Sequence, residues 1–314
     1  MSSTIPEGFA IRPATIDDFD AVLSLVIAQN MADYGEPMIS ADTQRETWQS
    51  SGLDLTQDTW VALASDDKLA GYAELQHYSS TQLAPSVYLA REHPCKDIGA
   101  HLLHLAETRA SCCNTDASSV ALIGRTSEHN QTGKQIFEGA GYALRLSFLM
   151  MERVMTEAPE PAPWTPDITV RTFVPGQDEQ ATYLADEEAS EDKGYHTLLT
   201  FEEWAKRMSL NAAEFDPTLW FLACSGDEIA GVALSFYSRP SHTGWIDHLG
   251  VRRQWRNKGI GKALLLHSCG EFHRRGICRV RLSVDSKSLT NAPRLYERVG
   301  MRTIQQYHIY KKEI

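Results

Sequence analysis

The sequence is written twice. Ile11-Arg12 followed by Asp17-Asp18 returns as Val170-Arg171 followed by Asp178-Glu179. The run WVALASDDKLAG from Trp60 to Gly71 returns as WFLACSGDEIAG from Trp220 to Gly231. Ile98-Gly99 returns as Ile260-Gly261, and Phe137-Glu138 with Gly141 returns as Tyr296-Glu297 with Gly300. Each match is displaced by about 160 residues and the order is kept, which is how a duplicated domain shows in sequence. A chain of 314 residues accommodates two such domains. Between the copies lies EAPEPAPWTP, Glu157 to Pro166, whose four prolines hold an extended, semi-rigid connector. The expected division is residues 1–156, a linker at 157–166, and residues 167–314.

Each copy reads as mixed α/β, with hairpins first and a strand–helix–strand unit later. In the second copy, Trp220 to Ser225 and Ile229 to Phe236 flank a Gly226-Asp227 turn and predict a hairpin. Trp245 to Val251 predicts a strand. Gly259 to Arg275 predicts a helix with a broad apolar face, ended by Arg274, Arg275 and Gly276. Val280, Leu282 and Val284 alternate as a strand. Asn291 to Arg298 predicts a short helix, and Tyr307 to Lys311 a last strand.

Composition removes whole classes of function. The net charge of −11 argues against non-specific nucleic-acid binding, which needs Lys and Arg at phosphates. No apolar run approaches the roughly 18 residues of a membrane span. Asp17, Asp18 and Asp20 interrupt any secretory pattern near the start. Six cysteines without a C-x-x-C pair fit neither a zinc ribbon nor a disulfide framework, so a reducing cytoplasm is expected. His267, Cys269, His273 and Cys278 match no zinc spacing, and no metal is expected.

The most informative segment is VRRQWRNKGIGKALL, Val251 to Leu265. A strand ends, a basic stretch with two glycines follows, and a helix begins. Unpaired N–H groups of the first helical turn converge there, and the helix dipole adds partial positive charge. Gly259 and Gly261 admit close backbone approach, while Arg256 and Lys258 add formal charge, so a pyrophosphate fits. The segment lacks the Gly-Lys-Ser/Thr of a Walker loop and the three glycines of a dinucleotide fingerprint.

Arg256-Asn257-Lys258-Gly259-Ile260-Gly261 resembles the Arg/Gln-x-x-Gly-x-Gly/Ala loop of the GNAT acetyltransferases. VDSKSLTNAPRLYERVGM, Val284 to Met301, looks like that family's later motif at the right spacing. The tandem arrangement is similar to that of mycothiol synthase-like, two-domain GNAT proteins. The resemblance spans nearly the whole chain and is specific in the second half. It implies two tandem GNAT folds, each a mixed, mostly antiparallel central sheet flanked by helices. It also implies acetyl-CoA as donor, held by Leu249, Val251, Arg256, Asn257, Lys258, Gly259, Ile260, Gly261, Lys262 and Ser288. The implied partner is a small-molecule primary amine, in a monomer or homodimer with neither nucleic acid nor membrane involved.

By the same resemblance, Tyr296 is the acid that protonates the coenzyme sulfur. A phenol, with a reference pKa of about 10, starts protonated at neutral pH. The family's usual base position falls on Trp245, which accepts no proton. Strand alternation places Asp247 on the same face and His248 on the opposite one, so Asp247 is the expected base. The N–H of Leu249 is the implied oxyanion donor, and attack on the thioester is expected to be direct, in a ternary complex. Ser288 stands where the family carries an asparagine, with a shorter hydroxyl in its place. A non-enzymatic acyl-CoA-binding or regulatory module would use the same loop; Tyr296 with Asp247 favours the enzyme.

The first copy has lost these parts. In REHPCKDIGAHLL, Arg91 to Leu103, Asp97 replaces Gly259 and Pro94 replaces Arg256; Phe137 replaces Tyr296. A carboxylate at the helix start repels an anion. Residues 1–156 are therefore expected to be non-catalytic, although Asn130 keeps the asparagine position. The acidic run Asp186, Glu187, Glu188, Glu191 and Asp192 reads as a solvated helix face, with attraction of a cationic amine as the other reading. Tyr195, His196, Trp204 and Tyr237 are candidates for an acceptor pocket.

Overall fold

A computed structural model describes residues 5, 7–49, 52–79, 81–91, 96–113, 119–193, 198–208, 210 and 215–314. Pro94, Cys95, Tyr195 and His196 lie outside the described residues. The chain opens with β1 (Phe9–Arg12), α1 (Phe19–Tyr34), α2 (Ala41–Gln49) and α3 (Leu55–Asp58). Strands β2 (Thr59–Ala64), β3 (Leu69–His77) and β4 (Gln82–Leu89) follow, then α4 (Lys96–Cys113) and β5 (Ala121–Ser127). Next come α5 (Gln131–Gly139), β6 (Ala143–Val154), β7 (Thr169–Thr172), α6 (Glu179–Ser190) and α7 (Phe201–Arg207). The chain closes with β8 (Trp220–Ser225), β9 (Glu228–Ser238), β10 (Thr243–Val251), α8 (Ile260–Arg274), β11 (Arg279–Asp285), α9 (Ala292–Arg298) and β12 (Arg302–Glu313).

Two compact units result, Met1–Ser147 with Gln305–Ile314, and Phe148–Ile304. They differ from the expected 1–156 and 167–314 by an exchange of strands. The first unit orders its strands β1-β2-β3-β4-β5-β12, and the second β7-β8-β9-β10-β11-β6. Tyr307 to Glu313 of β12 pair antiparallel with β5, while Phe148 to Val154 of β6 pair antiparallel with β11. Each copy thus contributes its last strand to the other unit's sheet. Edge satisfaction requires that β5 and β11 each gain a partner, a demand that the last strand of either copy would meet.

In each unit one neighbouring pair is parallel. It is β4 with β5 in the first, at Gln82↔Ala121 and Leu83↔Leu122. In the second it is β10 with β11, at Gly244↔Val280 and Trp245↔Arg281. A parallel pair requires a crossover, supplied by α4 and α8. In the second unit Ile260 and Leu264 of α8 pack on Phe221, Ala230 and Ala233. Trp204 of α7 packs the other face, against Trp220, Leu222 and Leu234. Among the described residues no helix is long and apolar enough to cross a membrane.

The matched Arg and Asp of the repeat have one physical meaning. Arg12 Nη1 lies 2.7 Å from Asp18 Oδ2, and Arg171 Nη1 lies 2.5 Å from Asp178 Oδ2. Each carboxylate also accepts a backbone N–H, from Thr15 or Val174, and so ties the first strand of a unit to its first long helix. The Arg171 guanidinium holds the Asp178 carboxyl below the usual carboxylate value. A depressed folded-state pKa gives stability that is present above about pH 4 and lost as pH falls through the folded value. Because Arg171 is half exposed, Asp178→Asn is expected to cost only about 1 kcal/mol at pH 7. Urea unfolding should show this cost shrinking toward pH 3; an equal cost at both pH values would refute the assignment.

Candidate active site

The second unit's site begins where β10 leaves β11. On its other edge β10 stays paired with β9, but Ile246 faces Ser235 and His248 faces Leu234, so Asp247 has no partner there. This bulge resets the alternation. Trp245 pairs with Phe236, and two strand positions of β9 later His248 pairs with Leu234, so His248 shares the face of Trp245. The expectation that Asp247 shares that face, with His248 opposite, fails because one extra residue is inserted. Asp247 stands on the bulge with its side chain 51% exposed, whereas that of His248 is 16% exposed.

Beyond the bulge the backbone polarity follows from one hydrogen bond. Arg252 N–H donates to Ala230 C=O of β9 at 2.9 Å. Alternation turns Gly250 the same way and directs the N–H groups of Leu249 and Val251 to the opposite edge. That is the edge from which β11 has departed. Val251 C=O on that edge accepts Arg256 Nε at 2.9 Å.

The loop then turns through a 3₁₀ segment, Arg253–Trp255, with Trp255 buried beneath it. Asn257 and Gly259 adopt left-handed conformations, φ 62° and 81°, and α8 starts at Ile260. A Cβ at Gly259 would meet nothing within 4 Å, so the ground before the helix is open. A Cβ at Gly261 would lie 3.6 Å from Leu295 and from Val251, which brings α9 beside the first turn of α8. Next to Leu295, Tyr296 is buried in the cluster that includes Leu265, Val284 and Val299, with Leu249 packed at its border. Ser288 donates its N–H to Asp285 C=O at 3.0 Å, and its hydroxyl lies 3.1 Å from that of Thr290.

Charge is distributed differently from the sequence expectation. The acidic run is not a solvated face. Glu188 pairs with Arg252 at 2.6 Å, and Asp192 pairs with Arg253 at 2.5 Å and with Arg256. Arg256 is therefore a brace between Asp192 and Val251 rather than a free cation. Lys262 lies 3.0 Å from Glu160, and Lys258 is exposed. Asp186 is buried; it accepts Trp204 Nε1 at 3.0 Å and His248 Nδ1 at 2.6 Å.

Burial opposes charge on both members of the Asp186–His248 pair, and their mutual attraction outweighs it. His248 is held above the ordinary imidazole value and Asp186 below the ordinary carboxylate value. Lys193, which donates to Ser190 at 2.9 Å, is pushed down by burial. Trp204, a candidate pocket residue, is instead fully buried and holds Asp186. The Tyr237 hydroxyl lies 2.7 Å from His242 Nδ1. His267 packs edge-on against Phe221 at 4.6 Å, a core contact.

The first unit shows the same frame with the site filled in. Strands β3 and β4 pair without interruption from Gly71↔Leu89 to His77↔Leu83, so the bulge is missing. Asp97 lies inside the first turn of α4, where Gly259 takes a left-handed step ahead of α8. Phe137 stacks on Tyr310 at 5.6 Å. Leu89 and Val251 occupy matching places opposite Gly71 and Gly231. Leu89 N–H donates to Gln29 Oε1 of α1 at 3.1 Å. Asn130 caps α5 through Gly133 N–H at 2.8 Å and donates to Asp33 at 3.2 Å. An open cleft of about 870 Å³ remains there, but α1 already bridges its two lips.

Sequence reasoning missed the bulge, the Asp186–His248 pair and the bracing of Arg256. One signal was available. Thr182, Asp186 and Ala189 recur at helical spacing on the buried face of α6, which puts a carboxylate where an apolar residue belongs.

Comparison with known proteins agrees with this architecture. The profile described as Acetyltransferase (GNAT) family matches residues 179–301. A mycothiol acetyltransferase of Thermobispora bispora is 33% identical over 256 residues, 77% of this chain and 79% of that protein. A crystal structure of a GCN5-related N-acetyltransferase from Sphaerobacter thermophilus superposes with a TM-score of 0.84 at 33% identity, covering 99% of this chain and 97% of that one. A tandem GNAT protein from the clavulanic acid biosynthesis pathway shares the fold, with a TM-score of 0.72 at 12% identity over 97% of this chain and 98% of its own.

Two glycines with open surroundings isolate the backbone contribution to the loop. A Cβ at Gly139 also meets nothing within 4 Å, yet that residue ends α5 without a positive φ. Gly259→Ala is expected to destabilise by about 1–2 kcal/mol through its left-handed conformation alone. Gly139→Ala should be neutral or stabilising by about 0.5 kcal/mol. Chemical denaturation of both variants tests this, and equal effects would mean the loop relaxes out of its left-handed step.

Proposed function

This chain belongs to the GNAT acetyltransferase family, and from that premise we propose that its second unit moves an acetyl group from acetyl-CoA to the primary amine of a small molecule. The observation that carries the proposal is the parting of β10 from β11. It leaves the N–H groups of Leu249 and Val251 on a free edge that leads to the N-terminus of α8. An extended amide-bearing arm adds to such an edge as a strand would. Its diphosphate then meets the N–H groups at Gly259, Ile260, Gly261 and Lys262, where the helix dipole favours negative charge. The open space at Gly259 supports that fit.

Roles within the unit follow from position. Lys258 is the exposed cation at the diphosphate, and Asn257 shapes the turn through its left-handed backbone. Arg256 acts by holding the loop to Val251 C=O. Leu249 N–H is the donor to the thioester oxygen, which gains charge as the amine attacks. Tyr296 on α9 protonates the departing sulfur. Ser288, its hydroxyl held by Thr290, lies at the rim. The amine attacks directly while both substrates are bound.

The first unit is read as non-catalytic, since Asp97, Phe137 and the Gln29 bond to Leu89 each remove one of these features. The mycothiol acetyltransferases among the relatives make a mycothiol-related amine the first acceptor to test, in a cytoplasmic setting.

Calorimetry with acetyl-CoA is expected to give one site per chain, lost on Gly259→Asp; two sites would overturn the division between units. Turnover is then screened with a mycothiol-related amine, glucosamine, spermidine and a lysine peptide. With the best of these, Tyr296→Phe is expected to lower kcat by about 10²-fold and leave acetyl-CoA affinity unchanged. Full kcat in that variant would remove Tyr296 from the chemistry.

A further inference from the structure

An amine acceptor reaches an enzyme at neutral pH mainly as an ammonium ion and must lose a proton before it attacks. We propose that His248, oriented by Asp186, is the group that takes this proton. The inference rests on the acetyl-transfer reading above and adds to it the identity of the base.

The bulge in β10 places His248 immediately before Leu249, the donor assigned to the thioester oxygen, on the face that Trp245 occupies. Its Nδ1 is 2.6 Å from Asp186 Oδ2. A carboxylate accepts only, so Nδ1 carries the proton and Nε2 keeps its lone pair. Nε2 is directed toward the half-exposed bulge residue, 4.0 Å from Asp247 Oδ2. Asp186 is itself fixed by Trp204 Nε1 at 3.0 Å and buried on the inner face of α6. Gly250 admits the close approach this needs, since a Cβ there would lie 2.7 Å from Ala189 Cβ of the same helix. A nitrogen base oriented by a buried carboxylate beside an oxyanion donor is the arrangement that general-base catalysis uses. Asp247, half exposed beside Nε2, adds a negative charge that favours the approach of an ammonium ion.

The proton balance is complete. Nε2 takes one proton from the ammonium ion and later releases it to solvent. The neutral nitrogen attacks the carbonyl, the C–N bond forms, and the C–S bond breaks with its electron pair on sulfur. Tyr296 gives its proton to that sulfur and recovers one from the nitrogen of the new amide.

The charged groups facing His248 are Asp186 on α6, Asp247 on its own strand and Lys193 beyond α6. Burial and Lys193 lower its proton affinity and the two carboxylates raise it, with a net shift upward from the ordinary value near 6.5. Because the base must be neutral, the rate rises with pH through the His248 pKa.

The experiment is the pH dependence of kcat/KM with acetyl-CoA and the best amine of the panel, in wild type, His248→Gln, Asp186→Asn and Asp247→Asn. His248→Gln is expected to lower kcat about 10²-fold or more and to abolish the acid limb, while calorimetry shows acetyl-CoA binding retained. Asp186→Asn should move the acid limb to lower pH. Long-range ¹H–¹⁵N spectra of the wild type should show the proton on Nδ1, and in Asp186→Asn a mixture of tautomers. An acid limb that survives in His248→Gln overturns the proposal, as does one lost in Asp247→Asn and kept in His248→Gln. If instead wild type binds no acetyl-CoA, the acetyl-transfer reading itself falls. Should Asp186→Asn fail to fold, the His248→Gln profile decides alone.

Discussion

Two strands that pair and then separate create an obligation. Past Gly244↔Val280 and Trp245↔Arg281, the inner edge of β10 carries backbone donors and acceptors that β11 no longer meets. A buried peptide group left without a partner costs about 1–3 kcal/mol, so such an edge must be wet, bonded internally or completed by a ligand. The first unit bonds it internally: Gln29 accepts the Leu89 N–H, and Asp33 reaches Asn130 across the opening. In the second unit Val251 C=O accepts the Arg256 guanidinium, while the N–H groups of Leu249 and Val251 are directed toward the edge that β11 has left. One frame thus has two outcomes, decided by what α1 or α6 presents to it.

The acidic balance of the chain is consistent with handling an anion because its carboxylates are engaged where they matter. Glu188 and Asp192 are matched by Arg252, Arg253 and Arg256, and Asp186 by His248. The loop arginines hold α6 to the end of β10, and under the proposed function the anion-attracting role falls to the helix terminus with Lys258. A helix dipole needs no side-chain ordering to act, which suits a loop whose fixed points are a left-handed glycine and a buried Trp255. The same contacts place Asp186 under the bulge, so the donor loop and the His248 pair rest on one helix.

Duplication alone does not make two self-sufficient domains. Strands β6 and β12 each run out of one copy into the sheet of the other. The proline-rich segment 157–166 marks the seam in sequence, whereas the seam between compact units passes through two strands. Each sheet is therefore completed by a strand that the sequence repeat assigns to the other copy.

Much was legible in the order of residues. The repeat with its matched Arg and Asp positions, the hairpin Trp220 to Phe236 and the helix after Gly259 are local features, set by turn chemistry, periodicity and spacing. The loop Arg256 to Gly261 and the neighbourhood of Tyr296 belong to the same class. What tertiary structure decided is long in range. Whether β12 closes its own sheet or the other is a contest between equivalent edges, which a strand's own sequence does not express. The bulge at Asp247 depends on how β10 registers against β9, and one inserted residue exchanged the faces of Asp247 and His248. Asp186 read as a surface acid because a sequence shows charge and not depth; the fold buries it against Trp204 and His248.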